Sequence, residues 1–413
     1  MSTKPVMAAQ TVRVPINNVP GGGDYTAQVT MGSQNAPVNL IMDTGSSTLA
    51  VKNGASYNAA TDKNLKPTVY AQQVTYGTGG WAGPVIQTNV TMGVQNSSVT
   101  LQNSLLAVAD DQQPHNFGAA DGILGLAYNA LNNAFNLTTY LQQQKINPAA
   151  TFPWPFPIKN SNAMLSQLQQ LFGRLPQEDI PPYFDEVESN GITANKFSFY
   201  TLRSVPNVGS GNITQDPLNN GFFIMGGGEE QTDLYTGQFL YVDVVDDAWY
   251  NTQLNAVQVD GCNAINASPL PTKFDQTMIS NSIVDSGTNA LFLASDVFQA
   301  VITSLNQLNP NFIKLIQTAA KAGLPSKDLD LTTWPNINFI MKGDNGQDVK
   351  LTCTPQTYWQ TNAPRAGQAI FQIANGQSVQ SILGLPLMNN YFTVFDRSQD
   401  SYGVIGFAPI KRN

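Results

Sequence analysis

A nine-residue stretch that occurs twice in the chain decides its fold. Residues 39–47 read Asn-Leu-Ile-Met-Asp-Thr-Gly-Ser-Ser, and residues 281–289 read Asn-Ser-Ile-Val-Asp-Ser-Gly-Thr-Asn. In each copy an apolar pair leads into an aspartate, a small hydroxyl residue, a glycine and a second hydroxyl residue. Glycine permits a tight turn that a Cβ would obstruct, and neighbouring hydroxyls can hydrogen-bond to the carboxylate. Each copy therefore predicts a buried strand that delivers one carboxylate into a turn.

A second motif repeats in the same order. Ile-Leu-Gly-Leu follows the first aspartate at residues 123–126 and the second at residues 382–385. A lone Asp-Thr-Gly is an ordinary turn sequence, but two matching copies with the same sequel indicate an internal duplication. The sequence predicts a mainly β, bilobal protein with lobes at residues 1–203 and 204–413, related by a pseudo-twofold, and with the two aspartate turns meeting at a central cleft.

Composition limits the function classes. The chain has 413 residues and 42% hydrophobic content, enough for two globular cores. Only 12% of the residues are charged and the net charge is −8, which excludes a general basic surface for nucleic acid. Low charge density suits an acidic environment, because little self-repulsion develops when carboxylates protonate. No apolar run approaches the length of a membrane span.

The chain contains a single histidine, His115, in the polar stretch of residues 111–116. Serine, cysteine and zinc hydrolases of the common types need at least one histidine as a base or ligand. Since no nucleophile or ligand cluster adjoins His115, we interpret it as an exposed surface residue. Hydrolytic chemistry would have to use carboxylates, and the sequence predicts no metal or cofactor.

Residues 74–83 (Val-Thr-Tyr-Gly-Thr-Gly-Gly-Trp-Ala-Gly) predict the tip of a β-hairpin. No Gly-Lys-Ser/Thr follows, so the tip is not a phosphate loop. Tyr76 could cover a cleft as a lid residue or pack on a core as a strand aromatic, and the pattern alone leaves both readings open.

Further elements are predicted from local patterns. Apolar residues at helical spacing after the proline-rich residues 153–157 indicate a packed helix, and a serine opens another. Strands are expected at residues 11–14, 25–31 and 197–202, and a bridge between the halves is expected at residues 203–215. One helix is expected through Met164, Leu165, Leu168, Leu171 and Phe172. Another is expected to begin at Ser295 as its N-cap.

Two carboxylates within a few ångströms cannot both ionise cheaply, so they share a proton. One can then take a proton from a water while the other donates one to a carbonyl oxygen, without a covalent intermediate. Such a pair gives a bell-shaped pH dependence on the acid side. A glycosidase also uses paired carboxylates, but it does not account for the duplicated turn or the hairpin.

Over residues 12–408 the chain resembles the pepsin-like aspartic endopeptidases. The resemblance rests on both aspartate motifs, on the hairpin Tyr76-Gly-Thr-Gly, which is similar to the family flap, and on further motifs. These are residues 121–128 (Asp-Gly-Ile-Leu-Gly-Leu-Ala-Tyr), 224–227, 235–237, 391–397 and 405–408. The resemblance implies an endopeptidase in which Asp43 and Asp285 activate a water at acid pH.

The resemblance also implies roles around the pair. Peptide or protein substrates would bind in extended form, paired with the cleft like an added strand, statine-type inhibitors would bind, and the protein would act as a monomer. The implied residues are Thr44 and Ser286 as hydroxyls that cross-brace the turns, Ser46 and Thr288 as outer hydrogen-bond partners, Gly45 and Gly287 near the substrate backbone, Tyr76, Gly77 and Thr78 as the closing flap, and Ile41 and Ile123 as apolar subsite residues.

One departure from the family lies beside the flap. Most pepsins carry a tryptophan after the first aspartate motif that bonds to the flap tyrosine, and Ala50 stands there instead. Trp81 follows Tyr76 by five residues, an arrangement similar to the beta-secretase branch. We therefore expect Trp81 Nε1 to donate to Tyr76 Oη; the alternative is that Trp81 only packs in the hairpin.

The ends and the cysteines depart as well. The stretch before Val12 is too short for the family's prosegment, and the usual disulfides are missing. Both features resemble the bacterial pepsin homologues, or a trimmed mature form. Cys262 and Cys353 form either one bridge or two free thiols. Without an apolar signal core a cytoplasmic location is expected, or a secreted or periplasmic one if the N-terminus was removed. The alternative function is a binding or inhibitor protein on the same scaffold that has lost turnover.

Overall fold

The computed structural model describes residues 9–76, 79–94, 97–112, 117–156, 162–399 and 401–412. Residue contacts group the chain into two compact units, one of Met1–Val14 with Thr26–Thr193 and one of Pro15–Tyr25 with Ala194–Asn413. The predicted lobe boundary after residue 203 therefore falls inside the second unit. There Arg203 is buried and donates to the carbonyls of Val205 and Thr361.

The first unit is built mostly of strands. In the third strand Val38, Leu40 and Met42 are fully buried. Burial alternates only as far as Leu40, and residues 40–43 are all buried, as expected for a strand with both faces covered. The elements up to the unit boundary are β1 (Val12–Asn17), β2 (Thr26–Met31), β3 (Ala36–Asp43), β4 (Leu49–Lys52), β5 (Lys66–Tyr76), β6 (Gly79–Val94), β7 (Ser97–Ala109), β8 (Asp111–Gln112), β9 (Gly122–Gly125), β10 (Asn133–Asn136), α1 (Thr138–Gln143), α2 (Asn162–Phe172), β11 (Gln177–Asp179) and α3 (Tyr183–Ser189).

These strands form a continuous sheet in the order β11-β10-β5-β6-β7-β4-β9-β3-β2. The predicted hairpin is confirmed: β5 and β6 pair antiparallel, with Val74 opposite Trp81 and Tyr76 opposite Gly79. The tip residues Gly77 and Thr78 and the side chain of Tyr76 lie outside the described part of the chain. The predicted helix after residue 160 is also confirmed, as α2.

The second unit is again rich in strands. Its elements are β12 (Lys196–Tyr200), β13 (Asn220–Met225), β14 (Leu240–Asp243), β15 (Asn251–Thr252), β16 (Leu254–Val259), β17 (Ile265–Asn266), β18 (Ser282–Val284), β19 (Leu291–Leu293), α4 (Ser295–Leu308), α5 (Pro310–Ala322), β20 (Leu324–Pro325), β21 (Ile337–Lys342), β22 (Asp348–Cys353), α6 (Pro355–Tyr358), β23 (Trp359–Thr361), β24 (Gln368–Phe371), β25 (Ile373–Asn375), β26 (Ser381–Leu383), α7 (Leu385–Met388), β27 (Tyr391–Asp396) and β28 (Val404–Pro409).

Four strand groups organise this unit: β13-β12-β27-β28-β14, β15-β18-β26-β19-β25, β17-β16-β21-β22 and β20-β24-β23. Aromatic side chains pack against one another on the first of these groups. Phe197 stacks on Phe395 with ring centroids 5.1 Å apart, and Tyr250 packs edge-on against Phe395 with ring centroids 4.6 Å apart. Such contacts add to the free energy gained from burying apolar surface. The mainly β fold expected from the sequence is confirmed.

The start of one helix and the state of the two cysteines differ from, or complete, what the sequence predicts. Helix α4 begins at Ser295 with Ala294 as its N-cap, so the predicted cap is displaced by one residue; the Ser295 hydroxyl bonds to Asn375 Oδ1 instead. Cys262 and Cys353 are both free thiols, which answers the question that the sequence left open. Within the described ranges no helix is long and apolar enough to cross a membrane.

Helix α3 carries a carboxyl group whose ionisation opposes folding. Glu186 Oε2 accepts hydrogen bonds of 3.2 Å from Leu105 N and from Ser104 Oγ. Burial nevertheless raises the pKa of Glu186 to about 7, against about 4.5 for a free side chain. Between these two pH values the folded chain holds a proton that the unfolded chain has released, so the free energy of unfolding falls as the pH rises from about 4.5 to about 7.

Replacing Glu186 by Gln should remove this pH dependence, because the amide keeps an acceptor oxygen and never ionises. Urea unfolding should show E186Q more stable than the parent by roughly 1–3 kcal/mol at pH 7.5 and equal to it at pH 4. Glu188, on the same helix, offers the matched control E188Q. Parallel stability curves for the parent and E186Q from pH 4 to pH 8 would contradict the assignment.

Candidate active site

The first aspartate stands at the end of a strand pair in the first unit. Strands β3 and β9 run parallel, with Ile41 opposite Ile123 and Asp43 opposite Gly125. After the turn the chain returns as β4, which pairs antiparallel with the same strand and sets Leu49 opposite Leu124. The Ile-Leu-Gly-Leu motif is therefore the strand on which both arms of the aspartate turn are built.

The carboxylate of Asp43 is held by its own turn. Gly45 N donates to Oδ1 at 2.8 Å and Ser46 Oγ donates to Oδ2 at 2.5 Å. The backbone of the turn is tied down in the same way, because Leu126 N donates to Asp43 O at 2.7 Å and Ala127 N to Ser46 O at 2.8 Å. Only 7% of Asp43 is exposed, so these donors replace most of the water that a carboxylate needs.

The second aspartate repeats this arrangement in the second unit. Strands β18 and β26 run parallel with Ile283 opposite Ile382, and β19 returns antiparallel with Leu291 opposite Leu383. The equivalent positions of the two motifs thus pair in the same register in both units. The duplication inferred from the sequence is present in the strand pairing itself.

The carboxylate of Asp285 has the same donors in the same places. Gly287 N donates to Oδ1 at 2.8 Å and Thr288 Oγ1 donates to Oδ2 at 2.5 Å. Asp285 is 8% exposed, and Leu385 N secures the turn through Thr288 O at 2.8 Å. Two aspartate turns with matching geometry follow from one repeated sequence pattern.

The glycine of each Ile-Leu-Gly-Leu motif makes room for the turn. A Cβ on Gly125 would lie 2.4 to 2.5 Å from the backbone atoms of Ser47, and a Cβ on Gly384 would lie 2.3 Å from Thr288 O and 2.4 Å from Ala290 O. Atoms cannot approach so closely, so the turn could not pack on a strand with any larger residue. The sequence could have revealed this role, since both motifs carry glycine at the same place.

For the other residues predicted around Asp43, the structure gives burial and packing. Thr44 is fully buried, and Ile41 and Ile123 lie in one apolar cluster with Trp81 and Ala50. Trp81 is itself fully buried, so its indole occupies the core beside the small Ala50. Its expected bond to Tyr76 Oη involves a side chain outside the described set, and the subsite role of Ile41 and Ile123 stays a prediction.

In the second aspartate turn Ser286 is 1% exposed. The cross-bracing role expected for Thr44 and Ser286 stays a prediction. His115 lies outside the described residues, and within those residues no group of three His, Cys, Asp or Glu side chains is placed to hold a metal ion.

A second carboxyl group in the unit of Asp285 lies near it and was missed by the sequence analysis. Asp24 belongs to the second unit, in a turn whose Gly23 lies so close to the Asn289 side chain that a Cβ would fall 2.6 Å from its Nδ2. Burial, and then the negative charge of Asp285, raise the pKa of Asp24 to about 7. At acid pH Asp24 is therefore neutral and adds no charge beside Asp285. Because Asp24 and Asp285 are far apart in the sequence, no local pattern indicates that they are neighbours.

Known proteins place the chain in a family. The profile of the eukaryotic aspartyl protease family matches residues 24–152 and 172–410. The chain belongs to this family, and it is a hydrolase of peptide bonds.

Individual relatives share a low sequence identity with this chain, but the matches extend over nearly its whole length. A beta-secretase of Strongylocentrotus purpuratus is 22% identical over 418 residues, covering 95% of this chain and 68% of the relative. A cathepsin E of Aquarana catesbeiana is 24% identical, over 94% of this chain and 79% of the relative. A pepsin-2B of Gadus morhua is also 24% identical, over 94% of this chain and 96% of the relative. The resemblance to pepsin-like enzymes is confirmed.

Adding a methyl group under either turn should destabilise the fold. Gly125→Ala and Gly384→Ala should each lower the free energy of unfolding by about 2–3 kcal/mol, because the new Cβ forces the turn off its strand. Gly54→Ala and Gly211→Ala are matched controls, since nothing lies within 4 Å of a Cβ at either position. Urea unfolding measures the difference, and equal midpoints for all four variants would contradict the packing argument.

Removing a hydroxyl donor should shift the pH dependence of peptide cleavage. Ser46→Ala or Thr288→Ala takes from a carboxylate a hydrogen bond that favours its ionised form, so the acid limb of the kcat/KM profile should move to higher pH. Thr288→Ser and Ser46→Thr keep the hydroxyl and should keep the parent profile. An acid limb that does not move in either alanine variant would show that these bonds do not tune the carboxylates.

Proposed function

We propose that the chain is an aspartic endopeptidase in which Asp43 and Asp285 act together on one water at acid pH. The observation that supports this most strongly is the matching treatment of the two carboxylates. Each receives a backbone N–H on Oδ1 and a hydroxyl on Oδ2. Two side chains given the same donors by a repeated motif are suited to the same step of one reaction.

In the proposed mechanism the pair carries one proton in total, because two close carboxylates cannot both ionise cheaply. The ionised member takes a proton from the water as it attacks the peptide carbonyl carbon. The protonated member donates its proton to the carbonyl oxygen, which gives a neutral tetrahedral intermediate. Collapse of that intermediate transfers a proton to the leaving nitrogen and restores the shared proton.

The substrate in this proposal is a peptide in extended form. Strands β5 and β6 carry the hairpin that would close over it, with Tyr76, Gly77 and Thr78 at or next to the tip, and the peptide backbone would pair with the protein like an added strand. Apolar residues beside the scissile bond would meet Ile41 and Ile123. A statine-type inhibitor, whose hydroxyl replaces the attacking water, would bind at the same place.

Acid operation fits the titration of groups outside the pair. The pKa values of Asp24 and Glu186 are both raised to about 7, so folding is favoured by protonation below neutrality. A protein working at acid pH avoids the loss of stability that ionisation of these two buried groups causes near neutrality. The cytoplasmic location expected from the N-terminal sequence stays a prediction, and an acidic compartment fits these titrations better.

Exchanging either aspartate for asparagine should abolish cleavage without unfolding the protein. Asp43→Asn and Asp285→Asn keep the shape of the side chain but remove the proton transfer, so kcat should fall by at least about 10³-fold at pH 4, within the range of roughly 10²–10⁴ for one general acid or base. A peptide library assay followed by mass spectrometry measures the rate and the cleavage sites.

Asp275→Asn, at an exposed residue in the unit that contains Asp285, is the matched control, and this variant should cleave like the parent. Parent cleavage should also be blocked by a statine-type inhibitor. If the parent binds this inhibitor but cleaves no peptide between pH 2 and 7, the protein is a binding or inhibitor protein on a protease scaffold. Undiminished cleavage by either asparagine variant would refute the mechanism.

A further inference from the structure

A part of the first unit that lies partly outside the family pattern is packed against the hairpin. The family profile leaves residues 153–171 unmatched, which includes Trp154, Phe156 and nearly all of α2. We call residues 133–156 and 162–179 the brace. Nothing in the duplicated motifs requires these residues, so their contacts need a separate explanation.

The brace is bonded to the backbone of the outer hairpin strand. Strand β10 extends the sheet beyond β5, with Phe135 opposite Ala71 and Asn136 opposite Tyr70. Thr151, fully buried, donates through its backbone N to Thr68 O at 2.9 Å and through Oγ1 to Tyr70 O at 2.7 Å. These bonds hold β5 along the half of the strand that lies away from the tip.

A second set of contacts reaches closer to the tip. Gln73, three residues before Tyr76, donates through Nε2 to Leu165 O in α2 at 2.9 Å. Leu165, Leu168 and Phe172 of the helix share an apolar cluster with Ala71 on β5 and Ala82 on β6. The helix therefore touches both arms of the hairpin, not only the outer one.

Trp154 connects the brace to the strand behind the hairpin. Its Nε1 donates to Asp111 Oδ2 at 2.7 Å, and Asp111 lies opposite Ala82 where β8 pairs with β6. Its ring packs edge-on against Phe156 and Phe172, with centroids 4.9 and 6.3 Å away. Asp111 is fully buried, and a buried carboxylate holds its donors tightly because unpaired charge is costly there.

We propose that the brace sets the position of the β5–β6 hairpin, and that Trp154 and Gln73 are positioning residues for peptide binding. A hairpin tied at Thr68, Tyr70, Gln73 and, through Asp111, at β8 has fewer orientations to lose when it closes, so less ordering entropy opposes substrate binding. The last step rests on the proposed function, since it takes the hairpin as the element that covers the peptide. The claim that the brace fixes the position of the hairpin does not depend on the proposed function.

Two conservative variants test the proposal. Trp154→Phe removes the indole donor and keeps an aromatic ring, and Gln73→Leu removes the amide donor and keeps the volume. Amide hydrogen exchange in peptides spanning residues 66–94 should become faster in both variants. KM for a peptide substrate should rise roughly 2- to 10-fold, as expected for one lost hydrogen bond, while kcat changes less than about 2-fold because neither residue touches the reacting atoms.

Two controls separate this effect from general damage. Trp359→Phe makes the same change in the second unit, where Nε1 has no hydrogen-bond partner within the described chain. Gln87→Leu makes the same change on β6, at a side chain with no hydrogen bond among the described residues. Exchange at residues 66–94 and KM should be unchanged in both.

The proposal is overturned if exchange at residues 66–94 is unchanged in Trp154→Phe and Gln73→Leu, or if it rises as much in the controls. It is also overturned if exchange rises but KM stays at the parent value, since the hairpin would then not act in binding. If the parent protein cleaves no peptide, the exchange experiment still decides whether the brace positions the hairpin, and only the proposed function fails.

Discussion

Parallel pairing between the strand that leads into an aspartate and the strand that leads into or contains the glycine of Ile-Leu-Gly-Leu is the constraint on which each aspartate turn depends. In β3 and β9 this pairing sets Asp43 opposite Gly125, and in β18 and β26 it sets Val284 opposite Leu383. The missing Cβ of the glycine lets the following turn lie directly on the strand. The position of the carboxylate is thereby determined by sheet geometry, which is more rigid than a loop alone.

Hydrogen bonds also hold the two carboxylates that the sheets position. A carboxylate that is 7 or 8% exposed has lost most of its hydration, and leaving it without donors would cost several kcal/mol. The turn itself supplies one N–H and one hydroxyl to each carboxylate. In the proposed reaction these donors are in place from the start, so they would need no rearrangement as charge moves.

The sequence was most informative where chemistry and structure use neighbouring residues. The aspartate turns and the hairpin could be predicted, because each is encoded within a short local motif. The repeat of Ile-Leu-Gly-Leu was also visible in the sequence, but its parallel pairing with the strand before each aspartate was not. Trp81 and Ala50 lie in one apolar cluster, a contact that the sequence analysis did not predict; the expected bond from Trp81 to Tyr76 stays a prediction. The N-cap of α4 was displaced by one residue, since helix ends depend on local geometry that composition does not reveal.

Features that depend on distant parts of the chain could not be predicted. Asp24 is close enough to Asp285 for that charge to raise its pKa, and Trp154 bonds to Asp111 although one helix and two strands separate them along the chain. Neither pair has a sequence signature. The packing of Arg203 into the second unit was hidden by the polar residues that follow it. Tertiary contacts of this kind override what a local pattern suggests.

The central claim is that Asp43 and Asp285 act on the same atom. A crystal structure of the protein with a statine-type inhibitor measures this directly, because the inhibitor hydroxyl stands where the attacking water would be. The account predicts that one carboxylate oxygen from each aspartate lies within hydrogen-bond distance of that hydroxyl, about 2.5–3.0 Å. A complex in which the hydroxyl contacts only one of the two carboxylates, or neither, would contradict it.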